Sequence, residues 1–320
     1  MKTLLAALAF VSIAGSALAQ QYPNRAVRVI VPWPPGQATD IAARVVAEKL
    51  QSSFGQPFVV ENRPGAGGSI GTDAVVKSTP DGYTLLAGSS GPISIMPNLQ
   101  KTPYEPLKDL APVSLICLTP FALVANPSFP AKDAKEFVAM VKASPGKYTF
   151  ASSGTGATAH LFAELFNSMA GIQARHVPYK GTAAAITDVM NGNVTYAVET
   201  VAATQTQIKS GKLKAYGVTT ARRAGAMPEL PPLAEAAGLP GYDAAAWIGY
   251  AAPAGTPREV LARLAGEMQK VLATDELKSR LVSLGLDARS STPEEMSEFL
   301  RKEQERYGSI IKSQNIKVEQ

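Results

Sequence analysis

Short apolar runs closed by Gly, Pro, Asn or Asp alternate with longer stretches of helical period, and this punctuation constrains the chain more than any other feature. AVRVIVP reads as a strand. DIAARVVAEKLQSSF, with Ile41, Val45, Leu50 and Phe54 near one face, reads as a helix ended by Gly55. PFVVEN, GSIGTDAVVKST and YTLLAG continue the pattern as strand, helix and strand. Strands separated by helices need crossover connections, and these produce a mainly parallel sheet covered on both faces.

The pattern breaks at PVSLICLTPFALVANP, a nearly continuous apolar stretch interrupted by Pro120, and then restarts. AKEFVAMVKASPG, ATAHLFAELFNSMAG and TAAAITDVMNG read as helices; YTFAS, ARHVPY, VTYAVE and KLKAYGVTT read as strands. A Pro- and Gly-rich loop from Ala224 to Asp243 leads to a second apolar extended run, WIGYAAPAG, and three amphipathic helices follow it. Two apolar crossings that bracket a second βαβα set predict an α/β protein of two lobes. Lobe 1 is residues 20–121 and 246–320 and lobe 2 is residues 122–245, with the C-terminal helices packed on lobe 1. A chain of 320 residues, 46% apolar, has the length for two cores and the material to fill them.

Met1 and Lys2 precede the apolar LLAALAFVSIAG and the small-residue triplet Ala17, Leu18, Ala19, the pattern of an export signal cleaved after residue 19. The expected location is the periplasm. The apolar stretch is shorter than the roughly 20 residues of a bilayer span. The single cysteine, Cys117, has no partner for an intrachain disulfide. The formal net charge of +5 is spread along the chain rather than gathered into a stripe, which argues against a nucleic-acid partner. A monomer is the expected state.

One arrangement appears in both halves. A strand leads through PPGQAT into a helix at Asp40, and YTFAS leads through SGTGAT into a helix near Ala159. Each loop offers free backbone N–H groups and the positive end of a helix dipole, which together make an anion cradle. Thr39 or Asp40 is expected to cap the first helix and Thr158 the second. Ser152, Ser153, Thr155 and Thr158 would add neutral donors across a cleft. The same residues also suit plain turns and caps, since such loops occur throughout α/β folds. Glu199, just after an apolar strand, suits either a cleft wall, where it would favour an amine or hydroxyl and repel a further carboxylate, or an exposed helix start.

Other chemistries find little support. Gly154, Gly156 and Ala159 match the dinucleotide fingerprint, yet the next strand ends without an acidic residue for a ribose. GAGGSIG lacks the Gly-Lys-Ser/Thr of a phosphate loop. Two histidines, His160 and His176, and one cysteine make a poor metal-ligand set, so neither a metal nor a cofactor is expected. A hydrolase using Ser89, Ser90, Ser152 or Ser153 would need a base, and neither histidine stands in a recognisable triad context. No enzyme activity is expected.

YPNRAVRVIVPWPPGQATD, VVENRPGAGGSIG, TPDGYTLLAG, TFASSGTGATAH, HVPYKG, IKSGKLKAYGVTTARR and APAGTP resemble, in order and spacing, the substrate-binding receptors of tripartite tricarboxylate transporters, the Bug or TctC family. The resemblance covers essentially the whole chain after residue 19. It implies a type II periplasmic-binding-protein fold with a ligand cleft between two mixed sheets flanked by helices. It further implies a receptor that closes on a small carboxylate-bearing solute, without turnover, and hands it to a membrane permease; a sensing subunit would need the same closure. By motif position the resemblance assigns ligand contacts to Trp33, Pro35, Gly36, Gln37, Ala38, Thr39 and Asp40 in lobe 1, with Ser89 and Ser90 as further members. In lobe 2 it assigns them to Ser152, Ser153, Gly154, Thr158, Lys180, Gly181, Glu199 and Thr200. The chain departs from the family pattern at two of these positions: Gln37 follows Pro-Pro-Gly where a second glycine is usual, and Val198-Glu199 stands where many relatives carry Phe-Asp.

Overall fold

The computed structural model describes residues 22–313; the export signal expected at residues 1–19 lies outside them. The first run of alternating elements is β1 (Val27–Val31), α1 (Ala38–Phe54), β2 (Phe58–Asn62), α2 (Ser69–Val76) and β3 (Thr84–Ser89). After a π-helical turn over Gly91–Ile95 and the short helices α3 (Met96–Leu99) and α4 (Pro106–Asp109), the chain enters β4 (Leu110–Thr119). β5 (Phe121–Ala125), α5 (Ala134–Lys142), β6 (Thr149–Ser152), α6 (Thr158–Ala170), β7 (Arg175–Pro178) and α7 (Thr182–Met190) follow. The second run ends with β8 (Tyr196–Thr200), α8 (Val201–Lys209), β9 (Lys214–Val218) and a short α9 (Leu233–Ala236). β10 (Ala246–Pro253), α10 (Arg258–Ala273), α11 (Asp275–Ser283), β11 (Asp287–Ala288) and α12 (Pro293–Ser313) complete the described chain.

Two mixed sheets result. The first has the order β11-β4-β10-β3-β1-β2 and the second β7-β6-β8-β5-β9. In each, three parallel strands carry the βαβ crossovers, and an antiparallel strand lies beside the third: β10 beside β3, and β5 beside β8. A further strand, β4 or β9, closes on that one. The two sheets therefore repeat one order, and this is the two-lobed type II periplasmic-binding-protein arrangement.

Only Pro120 separates β4 of the first sheet from β5 of the second. The apolar stretch around it is thus two core strands of different lobes joined end to end. The return passage is equally short. Ala244 is still tied to the second lobe through Thr219, whose Oγ1 donates to its carbonyl at 2.6 Å, whereas the Trp247 N–H donates to Ser90 Oγ in the first. Continuous burial of β5 and β10 explains why both read as apolar runs without a period of two.

The C-terminal helices differ in part from the expected packing. α10 and α11 bury Val260, Leu264, Met268, Leu277 and Leu281 in the first-lobe core. α12 starts there, through Met296 and Leu300, but its last turns bury Tyr307 and Ile311 in the core of the second lobe. The buried positions 296, 300, 303, 307 and 311 form one stripe along 21 residues. A helix of that length, ~30 Å at 1.5 Å per residue, spans both lobes. Tyr307 is fully buried, stacks on Phe162 with centroids 6.2 Å apart, and donates to the Ala245 carbonyl at the return passage.

This packing predicts that Tyr307→Ala, which empties a buried aromatic site, lowers the unfolding free energy by ~3–5 kcal/mol. Denaturant titration of the variant against the parent measures it. A loss below about 1 kcal/mol would show that the end of α12 is not part of the core.

Candidate ligand-binding cleft

The two loops singled out by sequence lie at the ends of β1 and β6 and open the two longest helices that face the cleft, α1 and α6. Their cap chemistry differs from expectation and is the same in both. The N-cap residues are Gln37 and Ala157, neither with a side-chain cap. The third residue of each helix instead reaches back to a glycine: Asp40 Oδ2 accepts from the Gly36 N–H at 2.9 Å, and His160 Nδ1 accepts from the Gly156 N–H at 3.2 Å. Both glycines have positive φ, 81° and 76°, which carries the chain round into the helix without Cβ strain. The first intrahelical bonds are Ile41 N–H to Gln37 and Leu161 N–H to Ala157. The N–H groups of residues 38–40 and 158–160 therefore precede the ladder at two helix starts.

Between the lobes lies a cavity of about 60 Å³. Its lining brings together nine of the expected residues: Trp33, Gln37, Ala38, Thr39 and Ser89 from lobe 1, and Ser153, Thr158, Glu199 and Thr200 from lobe 2. Trp33 is fixed by donation from Nε1 to Ser89 Oγ at 2.8 Å. Pro35, Gly36, Lys180 and Gly181 line an adjoining groove, and Gly154 a second opening, outside the cavity itself. There the lobes approach closely, since a methyl group built on Gly181 would stand 3.5 Å from Gln37 Nε2.

Three expected residues do not line the cavity and serve the scaffold. Asp40 is buried against Arg44 (Nε, 3.0 Å), Asn62 (Nδ2, 2.9 Å) and the Gly36 N–H. Burial opposes its charge, yet these donors together hold the carboxyl below the usual carboxylate range. Ser90 Oγ is taken by the Trp247 N–H. Ser152 Oγ is 2.7 Å from His176 Nε2 and accepts from the Gly154 N–H.

The Ser152–His176 pair is the nearest approach to nucleophile chemistry, and its surroundings oppose that role. Ser152 is fully buried. Burial, with the stacked ring of His160 3.9 Å away, pushes the His176 pKa down to about 3, too weak a base to draw a proton from a hydroxyl near neutrality.

Sequence reasoning missed Thr119, Phe121, Ala157, Ala159, Thr182, Ala203, Ala246, Trp247 and Ile248, which also line the cavity. Five of these flank the two crossings and resembled core. Register explains their role: Thr119 pairs with Ala246 in the first sheet and Phe121 with Thr200 in the second, so the crossings form the cavity floor. In any two-lobed chain, the residues on either side of a crossing are candidates for the cleft. Thr182 follows directly on the expected Lys180-Gly181.

Glu199 is the one ionisable side chain in the lining. It is 1% exposed, which removes the exposed-helix-start alternative. Oε2 accepts from Thr182 Oγ1 and the Thr200 N–H, each at 3.3 Å, while Oε1 has no partner. Burial raises its pKa to about 7, against the opposing pull of Thr200, Thr182 and Ser153. Thr119 Oγ1 and Trp247 Nε1 also lack partners. Three buried unpaired polar atoms thus belong to residues of one cavity, in a class of atom that folded proteins seldom leave unsatisfied.

Residues 42–316 match the tripartite tricarboxylate transporter family receptor, TctC. The chain belongs to this receptor family. Its relatives include the protein BugT of Bordetella pertussis, 37% identical over 327 residues that cover 99% of each chain. Among solved structures, Rpa4515 of Rhodopseudomonas palustris with adipate is similar at 32% identity and a TM-score of 0.88, covering 92% of this chain and 99% of that one. MatC from the same organism with bound malate is similar at 31% identity and a TM-score of 0.83, covering 91% and 100%. Among the described residues, no helix of this receptor is long and apolar enough to cross a membrane.

A buried carboxyl with a raised pKa makes the fold pH-sensitive in a defined direction. Below about pH 4.5 Glu199 is protonated whether folded or unfolded; as pH rises towards about 7 the unfolded chain ionises first and stability falls. The free receptor is therefore expected to lose up to ~3 kcal/mol between these limits that Glu199→Gln keeps. Melting temperatures of both proteins at pH 4.5, 6 and 8 test this, and parallel curves would exclude a buried titrating Glu199.

Proposed function

We propose that this protein is a periplasmic receptor that captures a small carboxylate-bearing solute between its lobes by hinge closure, performs no chemistry on it, and presents the closed form to the permease of a tripartite transporter. Residues 1–19 would direct export, and the receptor would act as a monomer. Residues 20–121 with 246–320, and residues 122–245, would move as the two bodies. The hinge would then lie where the chain passes between sheets, beside Pro120 and near Ala245.

The observation that carries this reading is the convergence on one inter-lobe cavity of two helix starts with Thr119 and Glu199, each of which has an unpaired buried oxygen. Two helix N-termini, each equivalent to roughly +0.5 charge, balance one carboxylate without any arginine or lysine in the lining. The hydroxyls of Ser153, Thr158 and Thr39 add neutral donors of adjustable direction. The ligands of Rpa4515 and MatC, adipate and malate, are also small carboxylates.

In a thermal-shift screen of short organic acids, at least one carboxylate is expected to stabilise the receptor by ~2.7 kcal/mol at a hundredfold excess over its Kd, and no acid is expected to be consumed. Ser153→Ala and Thr158→Ala should each weaken binding of that acid about 5- to 30-fold, the loss of one hydrogen bond to a charged group. Ser152→Ala should leave its affinity within about twofold while lowering stability, because its hydroxyl serves the scaffold. If no carboxylate shifts the melting temperature, the receptor reading fails; if Ser152→Ala weakens binding as Ser153→Ala does, the assignment of the two serines is wrong.

A further inference from the structure

We propose that the solute carries, besides its carboxylate, a protonated amine that donates to the free Oε1 of Glu199, so that this receptor selects a short amino acid over a dicarboxylic acid. The proposal rests on the receptor reading above and adds the second functional group of the ligand.

Charge balance within the cavity leads to it. The start of α1 and the start of α6 supply about one positive charge between them, enough for the solute carboxylate alone. No arginine, lysine or histidine lines the cavity, and Glu199 is its one ionisable member among the described residues. A dicarboxylate would place two negative charges beside Glu199 with no added cation, and like charges in a desolvated site repel strongly. A zwitterion brings one positive charge instead and leaves the closed cavity near neutrality.

Hydrogen bonding points the same way. Oε2 of Glu199 already accepts from Thr182 and from the Thr200 N–H, so the side chain is held in place with Oε1 left over. Thr119 Oγ1, in the same lining, is likewise unpaired. An ammonium offers three donors to such oxygens, and a carboxylate offers none. Glu199 stands where many relatives carry an aspartate, so the carboxylate of this chain reaches one methylene further into the cavity than theirs.

Isothermal titration of the full receptor with alanine, β-alanine and 4-aminobutyrate is set against butyrate, lactate, succinate and adipate. One amino acid is expected to bind at least about tenfold tighter than every acid lacking an amine, and Glu199→Gln should weaken it ~30-fold while changing butyrate less than about threefold. Should the Gln variant fail to fold, pH supplies a second readout on the parent protein. An ammonium needs ionised Glu199, so amino-acid affinity should rise between pH 6 and 8; a dicarboxylate needs Glu199 neutral, so its affinity would fall. Succinate, adipate or lactate binding as tightly as any amino acid would overturn the amine assignment and leave the receptor reading standing. Absence of binding by every acid would overturn both.

Discussion

The two crossings hold this molecule together and also line its cleft. β5 and β10 are buried along their whole lengths, each wedged antiparallel between neighbours, so the segments that join the lobes are also central strands of the sheets. The residues between the ladders are Pro120 and those around Ala245, and Pro120 removes one N–H that would otherwise extend a ladder across the gap. The floor of the cleft, made by the Thr119–Ala246 and Phe121–Thr200 pairs, is fixed by the same hydrogen bonds that make the cores.

Anion recognition follows from the same economy. Repetition of one strand order in both lobes points β1 and β6 towards each other, and each strand leads into a helix whose first N–H groups lie at the cleft. Asp40 and His160 then perform one duty in two chemistries, since each fixes the glycine that shapes its loop. Backbone donors held by this scaffold need little reorganisation when a carboxylate arrives, and they lose no long side-chain freedom, unlike a lysine or an arginine would. Gln37 and Glu199 are the side chains of the lining that depart from the family pattern.

Glu199 costs the folded state stability. A carboxylate with one oxygen paired and one free, buried under Thr182 and Thr200, disfavours the folded state near neutral pH relative to an apolar residue of the same volume. A ligand donor repairs the deficit. A ligand that paired Oε1 would therefore stabilise the folded protein by more than surface burial alone.

Much of this was legible in the chain. Periodicity and punctuation gave the elements, because alternate burial in helices and strands leaves its mark in residue order; the two apolar runs gave the crossings, because strands buried on both faces cannot alternate. Loop composition marked PPGQAT and SGTGAT as helix starts that can hold an anion. Local sequence could not assign Ser152 to the scaffold and Ser153 to the cleft, since adjacent residues on a strand end face opposite ways and only the packed sheet says which way is inward. Nor could it separate Asp40 from a ligand contact, or a buried Glu199 from a surface one, because each depends on partners such as Arg44, Asn62 and Thr182 that long-range folding brings up. The cavity floor, and the reach of α12 from one lobe into the other, were decided by the register of strands distant in sequence, a relation that no stretch of residues carries by itself.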